Sequence, residues 1–293
     1  MFRKRFFVSL LIITVVFILS IPERARAEEM PVNTQAEESA AEKEKIVICI
    51  DPGHGGAAAG FECTYDGAVV REKDLNLSIA LKLRDELLEY ENVDVIMTRE
   101  DDTGIKIRPR VQSALDNQAD YLISIHNNNT ANVELASGCM VLSTVSHYQA
   151  KGAKTADIYG ASEALARGIA KELGALGLTW AVELDAAFNE GVARRPYSPE
   201  GLAKTTVYYP DGSVADYNAL IRYSITEGLP AIIIEHAYLC NEEEYRAFLS
   251  TDESLLELAQ ADARGIADAL GLCKETAAVS DSGSAVSRDG KEQ

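Results

Sequence analysis

Positive charge is scarce in this sequence. Its 28 lysine and arginine residues stand against 46 aspartate and glutamate residues, so the formal net charge is −18 at pH 7. Such a chain would repel polyanions except at a local cationic centre, such as a bound metal ion. The composition therefore argues against nucleic acid and anionic lipid as partners.

Cysteine is also too rare to form a disulfide framework in a chain of 293 residues. No two of the five cysteines stand in a Cys-x-x-Cys pair, which argues against a cysteine-based zinc site. We expect Cys49 to be a small buried residue within a strand. One bridge stays open among the other four cysteines, which are Cys63, Cys139, Cys240 and Cys273.

After its first residues the sequence has no apolar run long enough to cross a bilayer. The one long run, Phe6–Ile21, follows the basic start Met1–Arg5 and precedes the small-x-small triplet Ala25–Ala27. It is shorter than the ~20 apolar residues of a spanning helix, and the layout is typical of a secretory signal peptide. We predict that residues 1–27 are cleaved after Ala27 and that the mature protein is secreted, without membrane attachment. An uncleaved anchor is the alternative.

The rest of the chain divides by composition. Residues 28–45 lack an apolar period and predict a linker, and residues 273–293 are rich in Ser, Asp and Gly and predict a disordered tail. Residues 46–272 alternate short apolar runs with amphipathic helical patterns. This predicts an α/β fold, a single three-layer domain with a mostly parallel twisted sheet of about six strands and helices on both faces. Residues 145–223 are less regular: Tyr159–Leu176 predicts a helix, and Trp180–Tyr217 predicts an insertion that carries loops or a hairpin. Five strands are predicted, at Ile46–Ile50, Asp94–Thr98, Tyr121–Ile125, Gly138–Thr144 and Ala231–Ile234.

The stretch Ile46–Gly56 carries the first candidate site. A run of β-branched residues ends in Asp-Pro-Gly-His-Gly-Gly, which predicts a buried strand that stops at a tight turn. His54 then stands at the carboxyl end of a strand, where open α/β sheets place their ligands. The glycines let the backbone turn and leave space beside the imidazole.

Two further predicted strands end in comparable residues, His126 and Glu235, and Glu72 starts the first predicted helix. Carboxyl ends of parallel strands share one edge of a sheet, so these side chains can converge with His54 there. Glu72 can join them if residues 57–71 fold back. Two imidazoles and one carboxylate form an open zinc site, in which zinc lowers the pKa of bound water towards ~7. A second carboxylate is then needed as general base.

These residues lie in segments that resemble the zinc-dependent N-acetylmuramoyl-L-alanine amidases, which include bacterial cell-wall hydrolases and spore proteins. The resemblance covers most of residues 46–272, and several motifs occur in the family's order. The matching segments are DPGHGG at Asp51–Gly56, EKDLNLSIALKL at Glu72–Leu83, VIMTREDD at Val95–Asp102, ADYLISIHNN at Ala119–Asn128, and LPAIIIEHAYLCN at Leu229–Asn241.

The resemblance implies that His54, Glu72 and His126 bind one zinc ion and that Glu235 is the catalytic glutamate. It also implies the reaction, hydrolysis of the amide between N-acetylmuramic acid and L-alanine in the peptidoglycan or muropeptides of the cell wall. The sequence departs from the family's pattern at Asn127 and Cys240, and its long stretch 145–223 leaves the substrate range open. No wall-anchoring repeat is evident, so a regulatory protein partner stays open as well.

Plainer interpretations compete for some of these residues. Glu72 would also suit a first-turn acid favoured by the helix dipole. His147 and His236 are expected to be structural. His236 follows Glu235 directly, so it would point to the opposite face of the strand.

Candidate substrate-binding residues are Asn128 and Arg222. For Arg222, as for Arg194 and Arg195, an ion-paired surface role is the alternative.

Two other functions stay open for the whole chain. The first is a non-catalytic peptidoglycan-binding or regulatory module, which would commonly lack a ligand or the base, whereas all four candidates are present here. The second is a zinc peptidase or deacetylase acting on the cell wall, which only product analysis would separate from an amidase.

Overall fold

The apolar run that begins at Ile46 forms an inner strand of a mixed sheet. The structure, a computed structural model, describes residues 45–130, 137–181, 187–199 and 203–274. Its elements, in chain order, are β1 (Ile46–Pro52), β2 (Glu62–Tyr65), β3 (Ala68–Arg71), α1 (Glu72–Leu87), β4 (Val93–Met97), α2 (Ile107–Asp116), β5 (Tyr121–Asn128), β6 (Met140–Leu142), α3 (Ile158–Ala175), β7 (Ala187–Asn189), β8 (Val192–Arg194), α4 (Ala219–Thr226), β9 (Ala231–Tyr238), α5 (Glu242–Glu244), a π-helical turn (Tyr245–Leu249) and α6 (Asp252–Leu270).

Seven strands form the main sheet, in the order β4-β1-β5-β9-β6-β8-β7. The pairs β1–β4, β1–β5, β5–β9 and β6–β8 are parallel, whereas β6–β9 and β7–β8 are antiparallel. His126 of β5 lies opposite Glu235 of β9 in this register. The predicted α/β fold with a mostly parallel sheet is confirmed, with seven strands where about six were expected.

Helices cover both faces of this sheet. Successive residues of a strand point to opposite sides, so one strand contributes to the core on each face. Ile48 and Ile50 of β1 belong to the core that includes α1, α3 and α6, whereas Cys49 belongs to the core that includes α2 and α4. The backbones of α3 and α6 touch, since a Cβ at Gly265 would lie 2.5 Å from the Cα of Ile169. Burial on both faces explains why the strands appear in the sequence as continuous apolar runs.

The structure differs from the sequence-based expectation in three places. β5 and β9 continue to Asn128 and Tyr238, so the two site residues on them lie within strands rather than after them. Residues 57–71 contain the β2–β3 hairpin, in which Asp66 and Gly67 form the turn with φ values of 53° and 81°. The irregular stretch contains α4, which was not expected, besides the expected helix (α3) and a hairpin (β7–β8).

The predicted signal peptide and linker lie outside the described residues apart from Lys45, as does the predicted tail beyond Lys274. The first residue of that tail is bound to the loop after α1, because the Glu91 N–H donates to the Cys273 carbonyl oxygen (2.9 Å). All five cysteines are free thiols, so the bridge left open by the sequence is not formed. Among the described residues, no helix has the length and apolarity that spanning a membrane requires.

Candidate active site

His54 lies in a tight turn directly after β1. Its φ is 63°, a left-handed value that is uncommon for a residue with a side chain, and Gly55 and Gly56 follow with φ of 119° and 58°. Gly53 is required for a different reason, since a Cβ there would lie 2.2 Å from the ring of His126. The turn therefore presents one imidazole and leaves space for the other beside it.

Glu72, the first residue of α1, is brought to the two histidines by the segment that folds back before it. Its N–H donates to the Phe61 carbonyl oxygen (2.8 Å), and its Oε2 accepts from the Phe61 N–H (3.0 Å). Oε2 lies 3.2 Å from His54 Nε2, and Oε1 lies 2.9 Å from His126 Nδ1. The condition set from the sequence, that residues 57–71 fold back, is met.

His54, Glu72 and His126 each offer one ligand atom, and these atoms all lie within 4.8 Å of one another. Two imidazole nitrogens and a carboxylate oxygen are a donor set that fits zinc with an open position. Burial opposes ionisation of Glu72, but its hydrogen bonds to the histidines hold its pKa below the ordinary value. Burial likewise opposes a charged His126, yet the contact with Glu72 and the nearby Glu235 raise its pKa.

Asn76, one turn further along α1, orients this group from behind. Its side-chain amide donates to Glu72 Oε1 (3.3 Å) and to the Gly53 carbonyl oxygen (3.3 Å), and its own oxygen accepts from Asn127 (2.9 Å). Asn76 is fully buried, so these polar atoms depend on one another for partners. Nothing in the helical period of α1 singles out this residue, and the sequence analysis missed it.

Glu235 faces the same space from β9. It lines a cavity of about 1020 Å³ together with His54 and His126. Burial is the main reason that the pKa of Glu235 is raised to about 7, and the charge of Glu72 raises it further. The charges of His126 and Arg195 act in the opposite direction and lower it. A carboxyl group that titrates near neutral pH beside a group of metal-ligand type is suited to accept and release a proton.

Two buried arginines fix the turn that carries His54. Arg110 of α2 donates to Asp51 Oδ1 (2.6 Å) and to the Pro52 carbonyl oxygen (2.7 Å), and it also donates to the His54 carbonyl oxygen. Arg99 donates to the carbonyl oxygens of Pro52 (2.9 Å) and Gly53 (2.8 Å). Neither arginine was identified from the sequence as a site residue, although Arg99 lies in one of the matching segments.

The clamp behind the His54 turn consists of Arg99, Arg110 and the buried acceptor Asp51. Its two carboxylate oxygens also accept from the hydroxyl groups of Thr98 (2.6 Å) and Ser124 (2.7 Å). Asp51 is 1% exposed and Arg110 is 4% exposed, so the ion pair is shielded from water. The clamp ties β1, β4, β5 and α2 together directly behind the turn.

Neither of the two predicted substrate-binding residues lines the cavity that Glu235 shares with His54 and His126. The guanidinium of Arg222 donates to the carbonyl oxygens of Asp216 (2.6 Å) and Tyr217 (2.8 Å), and the residue lines a neighbouring cavity of about 390 Å³. Asn128, at the end of β5, accepts from the Asn129 N–H (2.8 Å).

The other two histidines have packing contacts. His236 is fully buried on the opposite face of β9, with Nε2 2.8 Å from Asp262 Oδ2. The ring of His147 lies against that of Tyr159, with the centroids 3.8 Å apart and the planes tilted by 31°.

Comparison with known proteins identifies the family to which the chain belongs. The model of a family described as N-acetylmuramoyl-L-alanine amidase (Amidase_3) matches residues 48–268. One curated relative is N-acetylmuramoyl-L-alanine amidase CwlM of Bacillus licheniformis, 43% identical over 84 residues, a match that covers 28% of this chain and 32% of that protein. The chain thus spans about a third of the length of this relative.

Two solved structures have a similar fold over most of their length. One is an N-acetylmuramoyl-L-alanine amidase from Clostridium difficile 630 (TM-score 0.56, 24% identity), of which 98% is covered by 78% of this chain. The other is the catalytic domain of CwlV, an N-acetylmuramoyl-L-alanine amidase from Bacillus (Paenibacillus) polymyxa var. colistinus (TM-score 0.51, 26% identity), of which 98% is covered by 77% of this chain.

Proposed function

We propose a function for this chain from the fact that it belongs to the N-acetylmuramoyl-L-alanine amidase family. The protein is an exported zinc hydrolase, and it cleaves the amide bond between N-acetylmuramic acid and L-alanine in peptidoglycan. The observation that carries this proposal is the convergence of His54, Glu72 and His126 beside Glu235 at one wide cavity. The family implies the reaction and the residue roles, and the geometry supports those roles.

His54, Glu72 and His126 would hold the metal ion. Zinc, when bound, supplies a Lewis acid that activates water and polarises an amide carbonyl group. Glu72 contributes a carboxylate whose pKa its two histidine neighbours hold low, so it is ionised at neutral pH. Asn76 holds this carboxylate in place through its amide group, as residues around a metal site commonly do.

Glu235 would transfer the proton. As a carboxylate it accepts a proton from the attacking water, and as an acid it donates that proton to the nitrogen of the leaving L-alanine, so that the amine leaves neutral. The burial that raises its pKa to about 7 makes both steps accessible near neutral pH. His236, the next residue on β9, faces away from the cavity and takes no part in this transfer.

The test combines metal content with product analysis. Purified protein is incubated with muropeptides, and the products are examined for a free lactyl carboxyl group on muramic acid and a new amine on L-alanine. We expect about one zinc ion per chain and these products from the natural sequence. Glu235→Gln should keep the zinc and lose turnover by at least about 100-fold, the lower range for a general acid–base residue.

Matched histidine variants separate the site from general damage. His126→Ala should lose zinc and activity together, whereas His147→Ala, a histidine outside the group, should keep both. Zinc without any product from the natural sequence would favour the non-catalytic wall-binding module, and cleavage at a different bond would favour a peptidase or deacetylase. Full activity of Glu235→Gln would refute the assigned role.

Export follows from the location of the substrate, since peptidoglycan lies outside the cytoplasmic membrane. We propose that residues 1–27 form the signal that directs it. Mass spectrometry of the secreted protein should find Glu28 at the amino terminus, and a retained leader would favour the membrane anchor.

A further inference from the structure

The cavity at His54, His126 and Glu235 extends well beyond these three residues. On one side it is lined by Lys106, directly before α2, and by Arg108 in the first turn of α2. A volume of about 1020 Å³ is at the upper end for a small-molecule site and is much more than one amide bond needs. Groups on this side must therefore contact a part of the substrate beyond the bond that is cleaved.

This side of the cavity carries positive charge. Lys106 and Arg108 are exposed, and neither forms an ion pair with any residue that the structure describes. Many, though not all, of the other cations of this acid-rich chain have carboxylate partners, for example Lys73 with Asp102. Two cations without such partners at the rim of the candidate active site are complementary to an anionic ligand.

Arg108 is also held in a defined position. Its guanidinium lies 4.1 Å above the ring of Tyr223 on α4, a cation–π contact. A guanidinium stacked through one face keeps donors in its plane, where they match the geometry of a carboxylate. Arg108 and Tyr223 line both the main cavity and the neighbouring one, so Arg108 stands where the two cavities meet.

We propose that Lys106 and Arg108 bind free carboxylate groups of the peptide part of the substrate, and that they make the enzyme prefer stem peptides with free carboxylates over amidated ones. This inference rests on the proposed amidase function. The sugars of the glycan carry no charge once the lactyl carboxyl group is in amide linkage. The cations therefore place the peptide, rather than the glycan, on the α2 side of the cavity.

The test uses two muropeptides that differ only in their stem carboxyl groups, which are free in one and amidated in the other. The variants are Lys106→Met, Arg108→Met and the double variant, because methionine keeps an apolar stem and removes the charge. For the free-carboxylate substrate we expect kcat/KM to fall about three- to fivefold in each single variant and about tenfold in the double variant, as for partly exposed charge pairs. The loss should appear as a higher KM. For the amidated substrate, kcat/KM should change less than about twofold.

Lys151→Met is the matched control, since Lys151 is an exposed lysine that does not line either cavity. It should leave both substrates unaffected. Equal losses on the two substrates, an equal loss in the control, or no loss in the double variant would overturn the inference.

Binding separates this inference from the proposed function. Calorimetry with the same two muropeptides measures the preference without any turnover. If no variant and no substrate shows cleavage, the amidase proposal fails, but a binding preference that disappears in the double variant still supports the role of the two cations. Equal binding of both muropeptides would overturn that role even in an active amidase.

Discussion

Replacing Arg110 with methionine tests whether the clamp behind the His54 turn positions the metal-ligand group. Arg110 and Asp51 are both almost fully buried, and their closest atoms are 2.6 Å apart. Methionine leaves the Asp51 carboxylate buried with only the hydroxyl groups of Thr98 and Ser124 as side-chain partners. Breaking a buried ion pair by removing one partner destabilises a protein by about 3–5 kcal/mol, so the free energy of unfolding should fall by that amount.

The same change should weaken zinc binding, because Arg110 also donates to the carbonyl oxygen of His54. Loss of such a supporting contact lowers metal affinity by about 10- to 100-fold. Urea unfolding of the zinc-free protein measures stability, and competition with a chromogenic chelator measures zinc affinity. Arg246→Met is the control, since its partner Asp66 is exposed; it should leave both stability and zinc affinity nearly unchanged.

Stability and zinc affinity, measured together, show whether the clamp positions the site or only stabilises the fold. Lower stability with unchanged zinc affinity would refute the positioning role, and no change in either would refute the whole interpretation. Adding Asp51→Asn to the Arg110 variant should restore part of the lost stability, because it removes the unpaired buried charge.

Three further outcomes follow from the geometry. Gly53→Ala should lose at least half of the bound zinc in metal analysis, because its Cβ would lie 2.2–2.7 Å from atoms of the His126 ring. A chelator should lower the melting temperature of the natural protein but not of His126→Ala, since zinc at 100 times its Kd stabilises the folded state by about 2.7 kcal/mol. Burial raises the pKa of Asp216 to about 6, so the folded state keeps a proton that the unfolded state releases near pH 4. Unfolding measured against Asp216→Asn should therefore show stability falling by about 1–3 kcal/mol as the pH rises from 4 to 6, and parallel pH profiles would contradict this.

Three of the four predicted site residues were accessible from the sequence for one physical reason. His54, His126 and Glu235 interrupt or follow runs of apolar strand residues, where an ionisable side chain is conspicuous. The β2–β3 hairpin was missed although Asp66-Gly67 is a strong turn signal, because the surrounding glycines and alanines suggested an open loop.

The clamp residues could not be found in the same way. Arg110 lies on a polar helix, where a charged residue is expected to face solvent, and its burial depends on Asp51, which is 59 positions away. The direction of β6 against β9 likewise depends on long connections rather than on local composition. Local patterns report which residues are apolar, but they do not report which distant polar groups pair.

The pairing of β5 with β9 also bears on the order in which the protein acquires its properties. His54, Glu72 and His126 precede residue 130, whereas His126 and His236, the neighbour of Glu235, are separated by 110 residues. Closing so long a segment into a parallel pair is slow, because chain entropy is lost before the contacts form. A chain emerging from its amino terminus presents His54, Glu72 and His126 well before Glu235 is in place. Under the roles proposed above, the order of synthesis therefore places the metal-binding residues ahead of the residue that completes the catalytic site.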